Sequence, residues 1–166
     1  MAVLVVLAGL PGVGKSAVAR ALAARTGALW LRIDAIEQAM RGSHMAFTDL
    51  ADGGYAAAQA VARGALAQGL DVIGDCVNPW PLTREAWEAA GAGYRVLRVE
   101  LLCTDAGEHR RRVEARAPEV AGLVLPDWAA VQARDYRPWP GADLRIDTAV
   151  EKMEGAAARI AAAMED

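Results

Sequence analysis

An unbroken apolar run lies at the start of the chain. Residues 2–8 (AVLVVLA) carry no polar side chain, the pattern of a central parallel strand covered on both faces. GLPGVGKS at 9–16 ends the run, and helix formers follow over 15–26 up to Gly27, a stop signal. ALWLRID (28–34) predicts a second strand ending on Asp34, 34–41 a short helix, 42–54 a loop, and 55–68 an Ala-rich helix. LDVIGD (70–75) predicts a third strand ending on Asp75, followed by the turn CVNPWP and a helix over 82–90. YRVLRVELL (94–102) is the fourth strand. Asp105, with Glu108 three residues on, opens an arginine-rich helix to 116 in the manner of a capping box. Pro118 and Gly122 mark a loop, 127–136 reads as helix, 143–147 as a short strand, and an Ala-rich helix finishes the chain.

Strand and helix therefore alternate through about five strands. With right-handed crossovers this order builds an open parallel sheet between two helical layers, a three-layer α/β/α architecture. At 166 residues the chain is expected to form one domain, 1–166. Within it, 105–136 is expected to act as a mobile helical lid.

Charge and composition narrow the partners. A net charge of −3 offers no broad attraction for a nucleic-acid polymer or an anionic membrane, which favours a small molecule. The two cysteines, Cys76 and Cys103, have neither the number nor the spacing of a disulfide framework or zinc site. The N-terminal apolar run meets Gly and Pro within ten residues and has no basic leader, so it reads as a buried strand rather than an export signal. These features together suit a cytoplasmic protein. His44 and His109 lack partners at metal-ligand spacing and read as bystanders, while Trp87 and Trp128 read as core.

The chemistry concentrates in one motif. Gly9, Gly14, Lys15 and Ser16 satisfy G-x-x-x-x-G-K-[ST], between a strand and a helix as that motif requires. Gly9, Leu10, Pro11, Gly12, Val13, Gly14 and Ala17 would surround the phosphates, with backbone N–H groups and the helix dipole supplying positive potential. Lys15 would reach the β and γ phosphates of ATP, and Ser16 would ligate Mg²⁺. Lysine occurs only at 15 and 152, so a compact ammonium at this point is not a generic preference.

Ligands of open parallel sheets sit beyond the carboxyl ends of the strands, where Asp34 and Asp75 both fall. One carboxylate would accept the proton of an attacking hydroxyl and the other would hold Mg²⁺ or its waters. Spacing leaves open which does which. Arg112 and Arg116, four apart, share a helix face and are candidates to meet the transferring phosphoryl group. Arg84, Asn78, Tyr136 and Arg137, with Trp80 and Trp139, supply the mix of aromatic walls and polar groups usual in a small-ligand pocket.

The chain resembles the small P-loop kinases of the AAA-family ATPase and predicted-kinase group, which is akin to chloramphenicol phosphotransferase, gluconate and shikimate kinases, and the polynucleotide kinase domain. The resemblance spans most of the chain through GLPGVGKS, RIDAIEQAMR, VIGDCVNPWPLTREAW, EHRRRVEAR and RDYRPW. It implies strand order 2-3-1-4-5, Asp34 as catalytic base or acceptor-binding carboxylate, and Asp75 as the Walker-B-like metal residue. It also implies Arg112 and Arg116 as lid arginines, Arg41 within the acceptor-side motif, and Asp147 and Thr148 bordering the adenine. The implied activity is transfer of the γ-phosphate of ATP to a hydroxyl of a small molecule. An ATP-hydrolysing switch or partner-binding module, and a zeta-toxin-like or polynucleotide-end kinase, are the competing readings. DVIG at 71–74 fits the D-x-x-G of GTPases but lies inside a strand, and no N-K-x-D accompanies it.

Overall fold

The computed structural model describes residues 1–45 and 47–165; Ala46, in the expected 42–54 loop, and the terminal Asp166 lie outside the described residues. The elements run β1 (Val3–Ala8), α1 (Lys15–Thr26), β2 (Leu29–Arg32), α2 (Ile33–Arg41), α3 (Gly53–Ala67), β3 (Val72–Asp75) and α4 (Pro81–Ala90). The chain continues through β4 (Arg95–Leu102), α5 (Ala106–Ala115), α6 (Trp128–Gln132), β5 (Leu144–Asp147) and α7 (Met153–Glu165). The five strands form one parallel sheet in the order β2-β3-β1-β4-β5. This is the order the resemblance implied.

The apolar run in β1 is continuous because both its faces are covered. Val3, Val5 and Leu7 pack with Val18 and Leu22 of α1 and Ile160 of α7. Leu4, Val6 and Ala8 pack on the other face with Ala58, Ala62 and Leu66 of α3 and with Trp87 of α4. Trp87 is fully buried, and a Cβ on Gly74 would stand 2.9 Å from its ring. The glycine of DVIG thus makes room for an indole, a packing role.

Three elements differ from the sequence expectation, each for a local reason. Strand β2 ends at Arg32, whose extended φ of −96° caps α2 directly, so Asp34 lies in the first helical turn rather than at the strand end. Helix α5 ends at Ala115, and Arg116 is extended at ψ 139°. Helix α6 spans only Trp128–Gln132. Beyond it, Asp135 accepts a hydrogen bond from Trp80 Nε1 at 3.0 Å and the Arg137 N–H donates to the Pro79 carbonyl at 2.9 Å. These two bonds draw the chain out of helical geometry.

No helix among the described residues is long and apolar enough to cross a membrane.

Candidate functional site

The loop between β1 and α1 is built on glycines that admit close neighbours. Gly12 (φ 86°) lies beneath α5, where a Cβ would stand 2.4 Å from Val113 Cγ2. Gly9 (φ 147°) leaves no space for a Cβ beside the Leu101 carbonyl, and its N–H donates to the Val77 carbonyl at 3.0 Å. The N–H groups of Gly12, Gly14, Lys15 and Ser16 make no hydrogen bond among the described residues. Unpaired amides at the start of a helix form an anion cradle.

Lys15 is buried, and its Nζ donates to the Leu10 carbonyl at 3.0 Å. Burial holds its ammonium below the ordinary lysine value, while Asp75 and then Asp34 pull it back. Asp75 is also buried and accepts a hydrogen bond from Trp30 Nε1 at 3.1 Å. Burial pushes its carboxyl up, opposed first by Lys15 and then by hydrogen bonds from Ser16 and Trp30. Asp34, in contrast, is exposed and makes no hydrogen bond among the described residues. It is not a helix cap, because Arg32 occupies that position without a side-chain bond. Its carboxylate remains available to a ligand.

A cleft of about 440 Å³ unites these groups. Pro11, Gly12, Gly14, Lys15, Ser16, Asp34, Asp75 and Arg116 line it together. Register explains the assembly: Arg32 of β2 pairs with Asp75 of β3, so the ends of both strands open beside the loop.

A second, more open cleft of about 490 Å³ lies on the α7 side of the loop and is lined by Ala17, Arg112, Thr148 and Lys152. Thr148 Oγ1 stands 2.7 Å from the Val13 carbonyl, and Arg112 donates to Thr148 through Nη1 and Nη2, both at 2.9 Å. Glu108 fixes the same guanidinium through Nε at 2.7 Å, and the two arginines on Glu108 lower its carboxyl to about 2. Asp147 lines neither cleft. It holds the turn after β5 by accepting from Thr104, at both N–H and hydroxyl, and from the Ala149 N–H. Val13 is buried in the core, and Leu10 packs against it.

Arg112 and Arg116 do not act from one helix face as their spacing suggested. The helix stops between them, so Arg112 borders the second cleft and Arg116 the first.

The residues expected to form an acceptor pocket lie elsewhere. Arg84 is buried, with Nε donating to the Asn78 carbonyl at 2.9 Å, Nη1 to the Pro138 carbonyl at 3.1 Å, and Nη2 to the Arg137 carbonyl. The rings of Tyr136 and Trp139 stand 5.4 and 5.1 Å from it. Tyr136 donates its hydroxyl to Glu100 at 2.8 Å. Asn78, at φ 51°, is fully buried and donates through Nδ2 to the Leu7 carbonyl at 3.3 Å. The side chain of Arg41 pairs with Glu37 on its own helix at 3.6 Å. None of the side chains of Arg41, Asn78, Arg84, Tyr136, Arg137 and Trp139 lines the 440 Å³ cleft. Arg84 instead braces the 136–139 segment against α4.

Four residues that the sequence pattern did not single out contribute instead. Arg32, Glu119 and Arg134 line the cleft. His109, read from the sequence as a bystander, is a buried residue of α5 that reaches the loop itself, 2.8 Å from the Pro11 carbonyl. Arg32 had one trace in the sequence, since alternation places it on the same strand face as Trp30.

Cys76 is buried with its thiol pushed up by desolvation. Cys103 is also a free thiol.

Comparisons agree with this architecture. A proposed kinase from Chloroflexus aurantiacus superposes with a TM-score of 0.74 at 18% identity, covering 99% of this chain and 96% of that one. The APS kinase of Mycobacterium tuberculosis, solved with AMPPNP and APS, gives 0.73 at 20% identity, over 99% and 98%. A gluconokinase from Sinorhizobium meliloti gives 0.64 at 21% identity, over 97% and 94%. At these identities the likeness is one of fold. No curated protein matches by sequence. The AAA domain family matches residues 4–134, and with the phosphate loop, the 2-3-1-4-5 sheet and Asp75 at the end of β3 in place, the chain belongs to that family and has the fold of its small P-loop kinases.

Proposed function

We propose that the chain transfers the γ-phosphoryl group of ATP to a hydroxyl of a small molecule. The observation that carries this reading is that Lys15, Ser16, Asp75 and Asp34 line a single cleft. Lys15 and the free loop amides hold the triphosphate, and Arg112 with Thr148 border the nucleoside end. Mg²⁺ fits the donors present, because that ion keeps several waters and phosphate oxygens and takes only one or two protein groups. Ser16 and Asp75 are those groups. Among the described residues no cluster of three or more metal-ligating side chains competes with them. When bound, the ion offsets the charge that builds on the β and γ oxygens.

The two aspartates divide the work by environment. Asp75 is buried and held by Trp30, which suits a fixed metal-side ligand. Asp34 is exposed and uncommitted, which suits a general base. As the acceptor oxygen bonds to the γ phosphorus, the bond from that phosphorus to the β–γ bridging oxygen breaks. The acceptor proton passes to the Asp34 carboxylate, and ADP departs.

An acceptor screen with γ-labelled ATP and Mg²⁺ over sugars, nucleosides, aminoglycosides and amphenicols tests the reading. A labelled product that disappears in both Lys15→Ala and Asp34→Asn supports it. In Lys15→Ala nucleotide binding is expected to fail; in Asp34→Asn it persists while kcat falls by about 10²–10⁴. ATP hydrolysis with no labelled acceptor, unchanged in Asp34→Asn, would identify a hydrolysing switch instead.

A further inference from the structure

The chain is acidic overall, yet the cleft beyond the phosphate loop is rich in arginine. Arg32 comes from the end of β2, Arg116 from the end of α5 and Arg134 from the end of α6, and all three line the same space. Arg116 and Arg134 make no side-chain hydrogen bond or ion pair among the described residues. The Nε atoms of Arg32 and Arg116 are both buried without an acceptor. Burial lowers the Arg116 guanidinium, and Asp34 beside it opposes that shift. Lys15, Arg32, Arg116 and Arg134 outnumber the carboxylates of Asp34, Asp75 and Glu119 in the lining, an excess of positive charge that a neutral sugar or alcohol leaves unmatched.

One anion already occupies part of this space. Glu119 accepts from Arg32 Nη1 and Arg20 Nη2, each at 2.7 Å. Its side chain is 49% exposed and that of Arg20 56% exposed, so water and salt screen the pair and an incoming anion can exchange with it readily. Glu119 comes from the loop after α5, next to Arg116 in the cleft lining. The site therefore holds a carboxylate of the protein itself where a ligand's oxyanion would fit.

We propose that the acceptor carries a carboxylate, sulfate or phosphate in addition to its reacting hydroxyl, that Arg32, Arg116 and Arg134 bind this oxyanion, and that Glu119 holds Arg32 until the acceptor displaces it. This rests on the phosphotransfer reading above and names its substrate class. Guanidinium forks match planar and tetrahedral oxyanions. Binding the oxyanion on these arginines holds the acceptor within the same cleft that Asp34 and the phosphate loop line.

The test uses the full chain saturated with Mg·AMPPNP, so that the loop is filled, and titrates sodium sulfate and sodium acetate at constant ionic strength. Calorimetry reads binding, and the part of the tryptophan emission change that Trp30→Phe removes reports locally, because the Trp30 ring lies 5.8 Å from the Arg20 guanidinium and 5.9 Å from that of Arg32. One saturable site is expected, weakened about tenfold in Arg32→Gln and in Arg134→Gln. Glu119→Gln is expected to tighten it about threefold, a gain that misfolding does not produce. Preference for sulfate or for acetate identifies the oxyanion as tetrahedral or planar, and either order supports the proposal. Absence of a saturable site, indifference to both arginine substitutions, or unchanged or weaker binding in Glu119→Gln overturns it. AMPPNP affinity is read first: if it is intact and the anion response is missing, only the present proposal falls, whereas failure to bind AMPPNP overturns both readings.

Discussion

The Nε2 atom of His109 lies 2.8 Å from the carbonyl oxygen of Pro11, so helix α5 is tied to the phosphate loop by a side chain. A carbonyl only accepts, so Nε2 carries the proton. The edge-on Trp128 ring at 5.1 Å holds the imidazole in place, and Gly12 lets it approach. His109→Ala should lower stability by about 2–3 kcal/mol, from the unpaired carbonyl and the void together. Urea denaturation measures this, and calorimetry should show weaker AMPPNP binding. His109→Gln, which keeps a donor, should recover part of both.

Thr148 connects the loop to the second cleft. Its hydroxyl meets the Val13 carbonyl, and its Oγ1 and carbonyl receive Arg112. Thr148→Val keeps the shape and removes the hydroxyl. The expected result is about 1–2 kcal/mol less stability and about tenfold weaker nucleotide binding, as Arg112 loses one anchor and the loop another. Calorimetric titration of AMPPNP into the variant checks the second figure.

Arg84 is a brace, and its variants should behave accordingly. Its three carbonyl partners lie at positions 78, 137 and 138, a spread that the fork of a guanidinium spans and a single ammonium does not. Arg84→Lys should cost about 2–4 kcal/mol in chemical denaturation, with the acceptor KM of the folded fraction unchanged. A raised KM with undiminished stability would return Arg84 to the acceptor pocket.

Asp143 governs part of the acid response. It accepts from the Arg98 N–H at 2.8 Å and from Nε and Nη2 of the same residue at 3.0 and 2.8 Å, clamping the start of β5 to β4. These bonds hold its carboxyl below the ordinary aspartate value. A depressed carboxyl stabilises the fold above its unfolded value, near pH 4, and loses that contribution as pH falls through the folded value. Asp143→Asn should therefore be about 1 kcal/mol less stable at pH 7, after allowing for partial exposure. The difference should shrink progressively as pH falls below the ordinary aspartate range, as paired urea titrations would show.

Much of the fold could be read along the chain, because its cues are local. The apolar run of β1, Gly27 after α1 and Asp105 before α5, whose carboxylate accepts from the Glu108 N–H at 3.0 Å, each act within a few residues. Asp75 was placed at the end of β3 for the same reason, whereas Asp34 lies further on, in the first turn of α2, because β2 stops at Arg32. The expected acceptor group failed because an arginine beside aromatic residues has the same composition whether it faces a ligand or a set of buried carbonyls. His109 was missed because its partner is 98 residues away.

The order of residues along the chain was enough to establish the phosphate loop, the alternation of strands and helices, and the acidic group at the end of β3, since those depend on spacing and backbone preference. Folding had to choose which side chains meet: β2 beside β3 brings Arg32 to Asp75, the end of α5 at Ala115 parts Arg112 from Arg116, and the 116–134 segment carries Glu119 and Arg134 over the cleft. Those contacts follow from sheet order and helix termination, and they join residues too distant in sequence for any local pattern to record.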